Sequence, residues 1–161
     1  LAAERERVQA LCRAAGLPFI MNDSLEAFRK SGADGVHLGQ SDLREVAARS
    51  LGISVGDTTK LPDGSIKALV GEEKILGITA RSAEAAREAE RLGADYIGAG
   101  AVFGTATKAD ALPLSIAAFR EITEAVSIPV VAIGGINEEN VEKLSGSGAA
   151  GIAVVSALFG A

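Results

Sequence analysis

The chain has 161 residues, of which 48% are hydrophobic and 23% charged, a balance typical of a folded globular domain that excludes intrinsic disorder as its main state. The formal net charge of -5 disfavours a nucleic-acid-binding surface, and the apolar runs are too short for a membrane span. A single cysteine and a single histidine exclude an intrachain disulfide framework, a multi-cysteine metal site and a His-His zinc motif.

In chain order, the hydrophobic pattern predicts alternating helices and strands. The predicted helices cover Glu4–Ala15, Ser24–Lys30, Leu43–Ser50, Ser82–Leu92, Ser115–Ala125 and Glu138–Ser145. The predicted strands cover Phe19–Asp23, Gly35–Gly39, Ile75–Ala80, Tyr96–Val102, Val130–Gly134 and Gly151–Ser156. Because these strands are almost continuously apolar, they are typical of parallel strands buried on both faces. The order indicates an α/β fold, either an open doubly wound sheet or a closed barrel.

A short Gly-Ala motif recurs at Gly32, Gly93 and Gly148, at intervals of 61 and 55 residues. Each copy follows a predicted helix and precedes a predicted strand, so we expect each glycine to end its helix in the left-handed conformation. Since one βα unit needs about 30 residues, each interval corresponds to two units. The Gly134-Gly135 pair after the fifth strand is typical of a phosphate-binding turn in a barrel.

The stretch 52–71 interrupts this order with several glycines and a proline. We expect it to form an irregular excursion within a single domain that spans residues 1–161, although a short additional strand and helix also fit. The run from Gly56 to Lys60 resembles a phosphate-binding loop. Because Leu61-Pro62-Asp63-Gly64 follows it directly and predicts a turn, we assign no function to Lys60.

Ligands of parallel α/β folds bind at the carboxyl ends of the strands. Polar or glycine residues lie at every predicted strand end, namely Asn22, Asp23, His37, Gln40, Asp42, Thr79, Thr105, Thr107, Lys108, Gly134, Gly135 and Ser156. Asp23 and Asp42 suit a Mg²⁺ ion, which takes one or two carboxylates together with phosphate oxygens. Both residues are equally suited to cap the helices that follow them, and the two roles are compatible.

The loop from Gly104 to Lys108 offers backbone donors, two hydroxyls and one ammonium group, which suits a phosphate or a diphosphate. A solvated polar loop is the alternative. His37 lies within a strand, where a hydrogen-bonded core histidine is as consistent with the pattern as a functional one. Cys12 shares a helix face with apolar residues and is predicted to pack in the core.

Taken together, these motifs resemble those of thiamine-phosphate synthases. The similarity lies in residues 18–23, 32–42, 93–98, 105–110, 129–137 and 154–156. It implies a TIM-type (β/α)8 barrel and a cytoplasmic transferase. The family joins a hydroxymethylpyrimidine diphosphate to a thiazole phosphate, and the products are thiamine phosphate and diphosphate.

The resemblance also implies a role for each residue at the strand ends. Asp23 and Asp42 correspond to ligands of Mg²⁺, and Asn22 corresponds to a contact of the diphosphate. Lys108 corresponds to the catalytic cation on the leaving diphosphate, and Thr79, also counted as catalytic, stands where the family usually has serine. The other substrate-binding residues are then His37, Gln40, Thr105, Thr107, Gly135, Val155 and Ser156.

The sequence departs from the family pattern in four places. We expect only six of the eight βα units, because the first two strands, the second with a Gln-Leu-Arg-x-Lys diphosphate motif, and the last helix have no counterpart here. Gly104 replaces a proline, and the stretch 52–71 is longer. A thiazole tautomerase, which uses histidine where this chain has Arg81, and a non-catalytic phosphate-binding barrel are the alternative functions. The expected partners are the small-molecule substrates, without nucleic acid or membrane, and a homo-oligomer is left open.

Overall fold

A computed structural model describes residues 2–51, 58–104 and 113–160. Within these ranges, six strands form one parallel sheet in which the order of the strands follows the chain. The strands are β1 (Ile20–Asn22), β2 (Gly35–Leu38), β3 (Ile75–Thr79), β4 (Tyr96–Gly100), β5 (Val130–Ile133) and β6 (Gly151–Ala153). The helices are α1 (Ala2–Ala14), α2 (Leu25–Ser31), α3 (Gln40–Leu51), α4 (Ser65–Val70), α5 (Ala83–Arg91), α6 (Ile116–Ala125) and α7 (Ser156–Phe159). The curled sheet is a partial barrel, so the predicted fold class is confirmed.

All six predicted strands are present, and each ends one to three residues earlier than predicted. The difference is largest at β6, which ends at Ala153, so that Ser156 begins α7 instead of ending a strand. At β4 the chain leaves the regular ladder after Gly100, although the Val102 N–H still donates to the Ile133 carbonyl at 3.0 Å. The residues trimmed from the predicted strands therefore form the turns at the carboxyl edge of the sheet.

Three helix predictions need correction. Helix α3 begins at Gln40 and not at Leu43, because the Gly39 amide and the Asp42 carboxylate already close its first turn. The predicted helix 138–145 is only a 3-10 turn at Val141–Leu144, because side chains of Asn137 and Asn140 accept the nearby backbone N–H groups. The stretch 52–71, predicted to be irregular, contains a 3-10 turn at Thr58–Lys60 and helix α4, whereas residues 52–57 lie outside the described ranges.

The first two copies of the repeated Gly-Ala motif end a helix as predicted, whereas the third follows a 3-10 turn that ends at Leu144. Gly32, Gly93 and Gly148 have φ angles of 64°, 96° and 85°, which lie in the left-handed region and let the chain turn into the next strand. The aspartates in the first two copies have an additional structural role. Asp34 accepts a hydrogen bond from the Phe19 N–H at 2.8 Å, and Asp95 accepts one from the Leu76 N–H at 2.7 Å. Each aspartate therefore fixes the amino-terminal end of a neighbouring strand.

The two faces of the sheet carry different side chains. Towards the helices the strands present a fully buried apolar layer, formed by Val36, Leu38, Leu76, Ile78, Ile97 and Ala99. This layer packs with Phe119 and Ile122 of α6 in the hydrophobic core. The opposite face, at the alternate positions, carries His37, Gly77, Tyr96 and Gly98. The polar residues of the barrel interior are therefore confined to one face.

The exposed apolar side chains of the described ranges lie mainly at the two ends of the sheet. Val8, Leu11 and Leu17 lie on α1 and the turn after it, whereas Ile152, Val155, Leu158 and Phe159 lie on β6 and α7. Apolar surface at these places agrees with six units of a barrel, because each edge strand has only one neighbour. In the part of the chain that the structure covers, every helix is too short or too polar to cross a membrane.

Candidate active site

Asp23 stands at the carboxyl edge of the sheet in a conformation that few residues adopt. Its φ angle is 67°, and it follows Asn22, the last residue of β1. The Asp23 N–H donates to the His37 carbonyl at 2.8 Å, which holds Asp23 beside the end of β2. Ser24 caps α2 by accepting from the Ala27 N–H at 3.1 Å, so the alternative that Asp23 caps this helix is wrong. The Asp23 carboxylate is therefore exposed at this edge and is not used as a helix cap.

Asp42 lies in the first turn of α3, directly beyond the end of β2. Its Oδ2 accepts a hydrogen bond from the Gly39 N–H at 3.0 Å, which is the reciprocal half of a capping box. The capping role is therefore present, and only one of the two carboxylate oxygens is needed for it. Since β1 and β2 are paired neighbours and adjacent strands lie about 4.8 Å apart, Asp23 and Asp42 flank the same part of the edge.

His37, Thr79 and Tyr96 form a chain of hydrogen bonds across three strands. His37 Nδ1 lies 3.0 Å from Tyr96 Oη, and His37 Nε2 lies 2.9 Å from Thr79 Oγ1. The imidazole and phenol rings are 5.4 Å apart between centroids. His37 is therefore a hydrogen-bonded residue of the barrel interior, as one of its two sequence interpretations stated. Through Thr79, it also reaches the carboxyl edge.

Two glycines make room for this cluster. A Cβ atom on Gly77 would lie 2.3 Å from Tyr96 Cζ and 2.4 Å from His37 Nδ1. A Cβ atom on Gly98 would lie 2.8 Å from His37 Cε1. Because real side chains essentially never approach so closely, the two rings need glycine at both positions.

Gln40 connects the start of α3 to the end of β3. Its Nε2 donates to the Thr79 carbonyl, while the Thr79 hydroxyl contacts His37. Thr79 is thus held through both its backbone and its side chain. The structure therefore brings Asn22, Asp23, His37, Gln40, Asp42 and Thr79 to adjoining ends of β1, β2 and β3, as predicted from the rule for parallel sheets.

The loops after β4 and β5 run side by side. The Phe103 N–H donates to the Gly134 carbonyl at 3.0 Å, and a Cβ atom on Gly135 would lie 2.3 Å from the Gly104 carbonyl oxygen. Gly104 is the last described residue before the predicted phosphate-binding loop, whose Thr105, Thr107 and Lys108 lie outside the described residues. The Gly134-Gly135 pair is predicted from the sequence to form a phosphate-binding turn. The structure adds a packing role for Gly135, because two backbones meet closely there and its φ angle is 67°.

Replacing Gly135 with alanine is therefore expected to move the loop at residues 103–104. The φ angle of 67° alone should cost about 1–2 kcal/mol for a residue with a Cβ atom. Chemical unfolding of Gly135→Ala should show this loss, and Gly151→Ala is the control, since a Cβ atom there meets nothing within 4 Å and its φ is not positive. Equal stability of the two variants would contradict the packing argument.

Val155 and Ser156 lie beyond the end of β6, and both are exposed. Because β6 pairs in parallel with β5, they stand at the same edge of the sheet as Gly134 and Gly135. We call the carboxyl edge of the partial barrel its mouth. The predicted substrate contacts Gly135, Val155 and Ser156 lie on one side of the mouth. The predicted contacts at the ends of β1, β2 and β3 lie on the other side.

Residues Thr58–Lys60, the described part of the run that resembles a phosphate-binding loop, lie at the opposite end of the sheet. The Thr58 carbonyl accepts from Arg91 Nη2 at 3.1 Å, and Arg91 lies in the last turn of α5. Because α5 leaves the carboxyl edge after β3 and returns to the amino-terminal start of β4, its last turn is remote from the mouth. This position agrees with the interpretation that Lys60 has no part in the site.

The donors of the described residues fit a cation that also takes ligands from its substrate. No group of three or more His, Cys, Asp or Glu side chains is gathered anywhere in the described ranges. Asp23 and Asp42 fit the Mg²⁺ pattern of one or two carboxylates, with the remaining positions filled by phosphate oxygens and water.

Burial raises the pKa of the Tyr96 phenol above its ordinary value of 10.0. The folded chain therefore holds this proton to higher pH than the unfolded chain does. The resulting stabilisation is fully present below the unfolded-state pKa and is lost as the pH rises through the folded-state pKa. Because Tyr96 is the sole tyrosine and tryptophan is absent, ultraviolet titration should show one tyrosinate transition above pH 10.0. A transition at or below the value of the urea-unfolded chain would contradict this expectation.

The family model described as thiamine monophosphate synthase matches residues 1–158. The chain belongs to the thiamine monophosphate synthase family. This confirms the resemblance inferred from the motifs.

Curated thiamine-phosphate synthases are similar to this family member along most of its length. The one from Ruminiclostridium cellulolyticum is 46% identical over 143 residues, which cover 89% of this chain and 60% of the relative. The one from Syntrophomonas wolfei is 42% identical over 157 residues, which cover 97% of this chain and 66% of the relative. The chain therefore spans about 60% of the length of the first of these relatives.

Solved structures agree with the family assignment and with the fold. The thiamine phosphate pyrophosphorylase from Pyrococcus furiosus matches with a TM-score of 0.74 and 34% identity, over 100% of this chain and 70% of that one. FabK from Thermotoga maritima matches with a TM-score of 0.62 at 19% identity and supports the fold alone.

The sequence motifs did not single out two polar residues that the structure of this thiamine monophosphate synthase family member places in the barrel interior and at its mouth. Tyr96 was assigned only to a strand, and Arg81, noted only as a replacement for histidine, donates from Nη1 to the Gly100 carbonyl at the mouth. The signal that could have indicated Tyr96 is the presence of glycines in the strands beside large side chains, because the glycines leave space for rings. Gly77 and Gly98 lie in neighbouring strands, and both leave space for the rings of His37 and Tyr96.

Proposed function

We propose that the protein condenses hydroxymethylpyrimidine diphosphate with thiazole phosphate, with Mg²⁺, to give thiamine phosphate and diphosphate. Membership of the family supports this reaction. The single observation that carries it is the meeting of Asp23, Asp42 and Thr79 at adjoining strand ends, beside the Gly104–Gly135 contact from which the Lys108 loop departs.

The reaction requires two anionic groups to be bound at a fixed separation. In the proposal, Asn22, Asp23, Asp42 and Lys108 bind the diphosphate of the pyrimidine. Thr105, Thr107, Gly135, Val155 and Ser156 bind the phosphate of the thiazole on the other side of the mouth. Bound Mg²⁺ would neutralise negative charge on the diphosphate. Because Asn22, Asp23 and Asp42 lie on one side of the mouth and Gly135, Val155 and Ser156 lie on the other, they would hold the pyrimidine and the thiazole between them.

The chemical step breaks the bond between the exocyclic carbon of the pyrimidine and the diphosphate oxygen. The bonding electron pair leaves with the diphosphate, and the carbon becomes a cation that the pyrimidine ring stabilises. The thiazole nitrogen then donates its lone pair to this carbon and forms the new C–N bond. The protein donates no electron pair and takes up no proton in this sequence. Its contribution is therefore the binding of charge and the orientation of the reactants.

The surroundings of His37 support a reaction without a protein nucleophile. Both ring nitrogens lie within hydrogen-bond distance of protein hydroxyls, those of Tyr96 and Thr79. The free thiol of Cys12 lies on α1, which precedes β1 and is not among the strand-end residues. Within the described ranges, the groups at the mouth are accordingly suited to binding and not to covalent catalysis.

The proposal is tested by incubating the protein with both substrates and Mg²⁺. Thiamine phosphate and diphosphate should form in equal amounts, and omission of either substrate or addition of a chelator should stop the reaction. If both substrates bind but no thiamine phosphate forms, the proposed condensation is wrong and the chain acts as a phosphate-binding barrel. If the thiazole is consumed alone and isomerised, the tautomerase alternative is correct.

A further inference from the structure

The hydrogen-bonded chain of Tyr96, His37 and Thr79 runs from the barrel interior to the mouth. His37 and Tyr96 both lie level with Gly77 in the strand register. Thr79 lies two residues further along β3, about 7 Å nearer the carboxyl edge. The chain of contacts therefore ends in a hydroxyl group beside the residues that are proposed to bind the diphosphate.

The chemistry of the three groups allows one continuous direction of hydrogen bonding, from Tyr96 to Thr79. Tyr96 is half-buried, burial raises the pKa of its phenol, and a neutral imidazole nitrogen is a good acceptor for the phenolic proton. When Tyr96 donates to His37 Nδ1, the ring carries its proton on Nε2 and donates it to Thr79 Oγ1. Thr79 then accepts from His37, and its own proton points to a further acceptor.

We propose that Tyr96 is a positioning residue that acts through His37 to make the Thr79 hydroxyl a hydrogen-bond donor towards the departing diphosphate. This inference rests on the proposed function. A diphosphate oxygen offers lone pairs and gains negative charge as the C–O bond breaks, so a donor directed at it stabilises the transition state more than the bound substrate. All protons stay on their own atoms, and no covalent bond to the protein forms.

The glycines of β3 and β4 support a specific role for this arrangement. Gly77 and Gly98 each lack the Cβ atom that would collide with the His37 ring, and Gly77 also makes room for the Tyr96 ring. The interior of the sheet is thus shaped around one orientation of both rings. A fixed imidazole ring keeps Nε2 directed at Thr79, which the proposed donor role requires.

The first experiment reads the histidine directly and needs no substrate. The chain contains one histidine and one tyrosine, so the two imidazole nitrogen signals in a long-range ¹H–¹⁵N spectrum belong to His37 without further assignment. We expect the neutral imidazole of His37 in the parent protein to carry its proton on Nε2. In Tyr96→Phe, which keeps the ring and removes the hydroxyl, this preference should decrease and the Nδ1-protonated form should appear. A parent protonated at Nδ1, or a variant with unchanged signals, would overturn the inference.

The second experiment measures the kinetic consequence. Tyr96→Phe should lower kcat about tenfold and change KM for either substrate by less than about twofold. Thr79→Ser should keep the activity, whereas Thr79→Val should lower kcat at least as much as Tyr96→Phe does. In a Thr79→Val background, Tyr96→Phe should have little further effect, because both substitutions remove the same donor. Equal effects of Tyr96→Phe in both backgrounds would show that Tyr96 acts independently of Thr79 and would overturn the proposal.

A matched control separates this role from a loss of packing. Thr123 also donates its hydroxyl to a backbone carbonyl, that of Ser147 at 3.1 Å, but it lies on α6 outside the barrel interior. Thr123→Val should lower stability and leave kcat unchanged. If the parent shows no condensation, the proposed function fails, while the spectrum of His37 still decides whether the directed hydrogen bonds exist.

Discussion

Lys108→Ala is expected to lower kcat for the condensation by about 10²–10³-fold, or roughly 3–4 kcal/mol in the activation barrier. The departing diphosphate carries more negative charge in the transition state than in the bound substrate, so a cation at its oxygen acts mainly on the rate. The affinity for thiazole phosphate should change little, because the proposed contacts of that phosphate do not include Lys108. Steady-state kinetics with each substrate varied in turn separates the two effects.

Lys60→Ala is the matched control for this substitution. It removes the same charge from a similar Gly-Asp-Thr-Thr-Lys run, but the adjoining Thr58 carbonyl is held by Arg91 at the amino-terminal end of the barrel. We expect kcat within about twofold of the parent value. Equal losses in the two variants, or a larger loss with Lys60→Ala, would show that the active site is wrongly placed on the loop after Gly104.

Local signals explain why the strands and most helices of this chain could be predicted. Serines 24, 82 and 115 cap their helices through hydrogen bonds to residues three positions ahead, which is information contained in a few neighbouring letters. The glycines at positions 32 and 93 end their helices for an equally local reason. The alternation of such segments with apolar strands determined the fold class.

The wrong prediction for the stretch 52–71 depends on contacts between segments distant in sequence. Helix α4 packs where Lys67 Nζ donates to Asp95 Oδ2 at 2.7 Å, and Gly64 N–H donates to the Arg91 carbonyl. Neither contact is visible in the turn residues of 52–71, which by themselves indicate an irregular stretch. The close packing of Gly135 is equally invisible in its local sequence, because its neighbours are the carbonyl oxygens of Phe103 and Gly104.

The candidate site was predictable as a set of residues but not as a network. The rule that ligands bind at the carboxyl ends of parallel strands selected Asp23, Asp42 and Thr79. It could not indicate that Asp42 also holds the Gly39 N–H, or that Thr79 is connected to Tyr96 through His37. The connection from Tyr96 through His37 to Thr79 follows from the register of strands β2 to β4, which the sequence alone leaves undetermined.

Asp23→Asn and Asp42→Asn are each expected to weaken the binding of inorganic diphosphate in the presence of Mg²⁺ by about 100-fold, or about 2.7 kcal/mol. Loss of a partner outside the coordination shell already costs about 10–100-fold in metal affinity, so loss of a ligand should reach at least the upper part of that range. Asparagine preserves the local structure at both positions. It tolerates the φ angle of 67° at residue 23, and at residue 42 its carbonyl oxygen can still accept from the Gly39 N–H.

Asp34→Asn provides the control for the removal of one negative charge. Asp34 accepts from the Phe19 N–H at the amino-terminal end of β1, and asparagine can keep this hydrogen bond as well. Calorimetric titration of diphosphate should therefore give the parent affinity for Asp34→Asn with Mg²⁺. Without Mg²⁺, Asp23→Asn and Asp42→Asn should bind diphosphate at least as well as the parent, because they remove negative charge near an anion. Parent-like binding with Mg²⁺ in both variants would leave Asp42 as a helix cap and Asp23 as a turn residue.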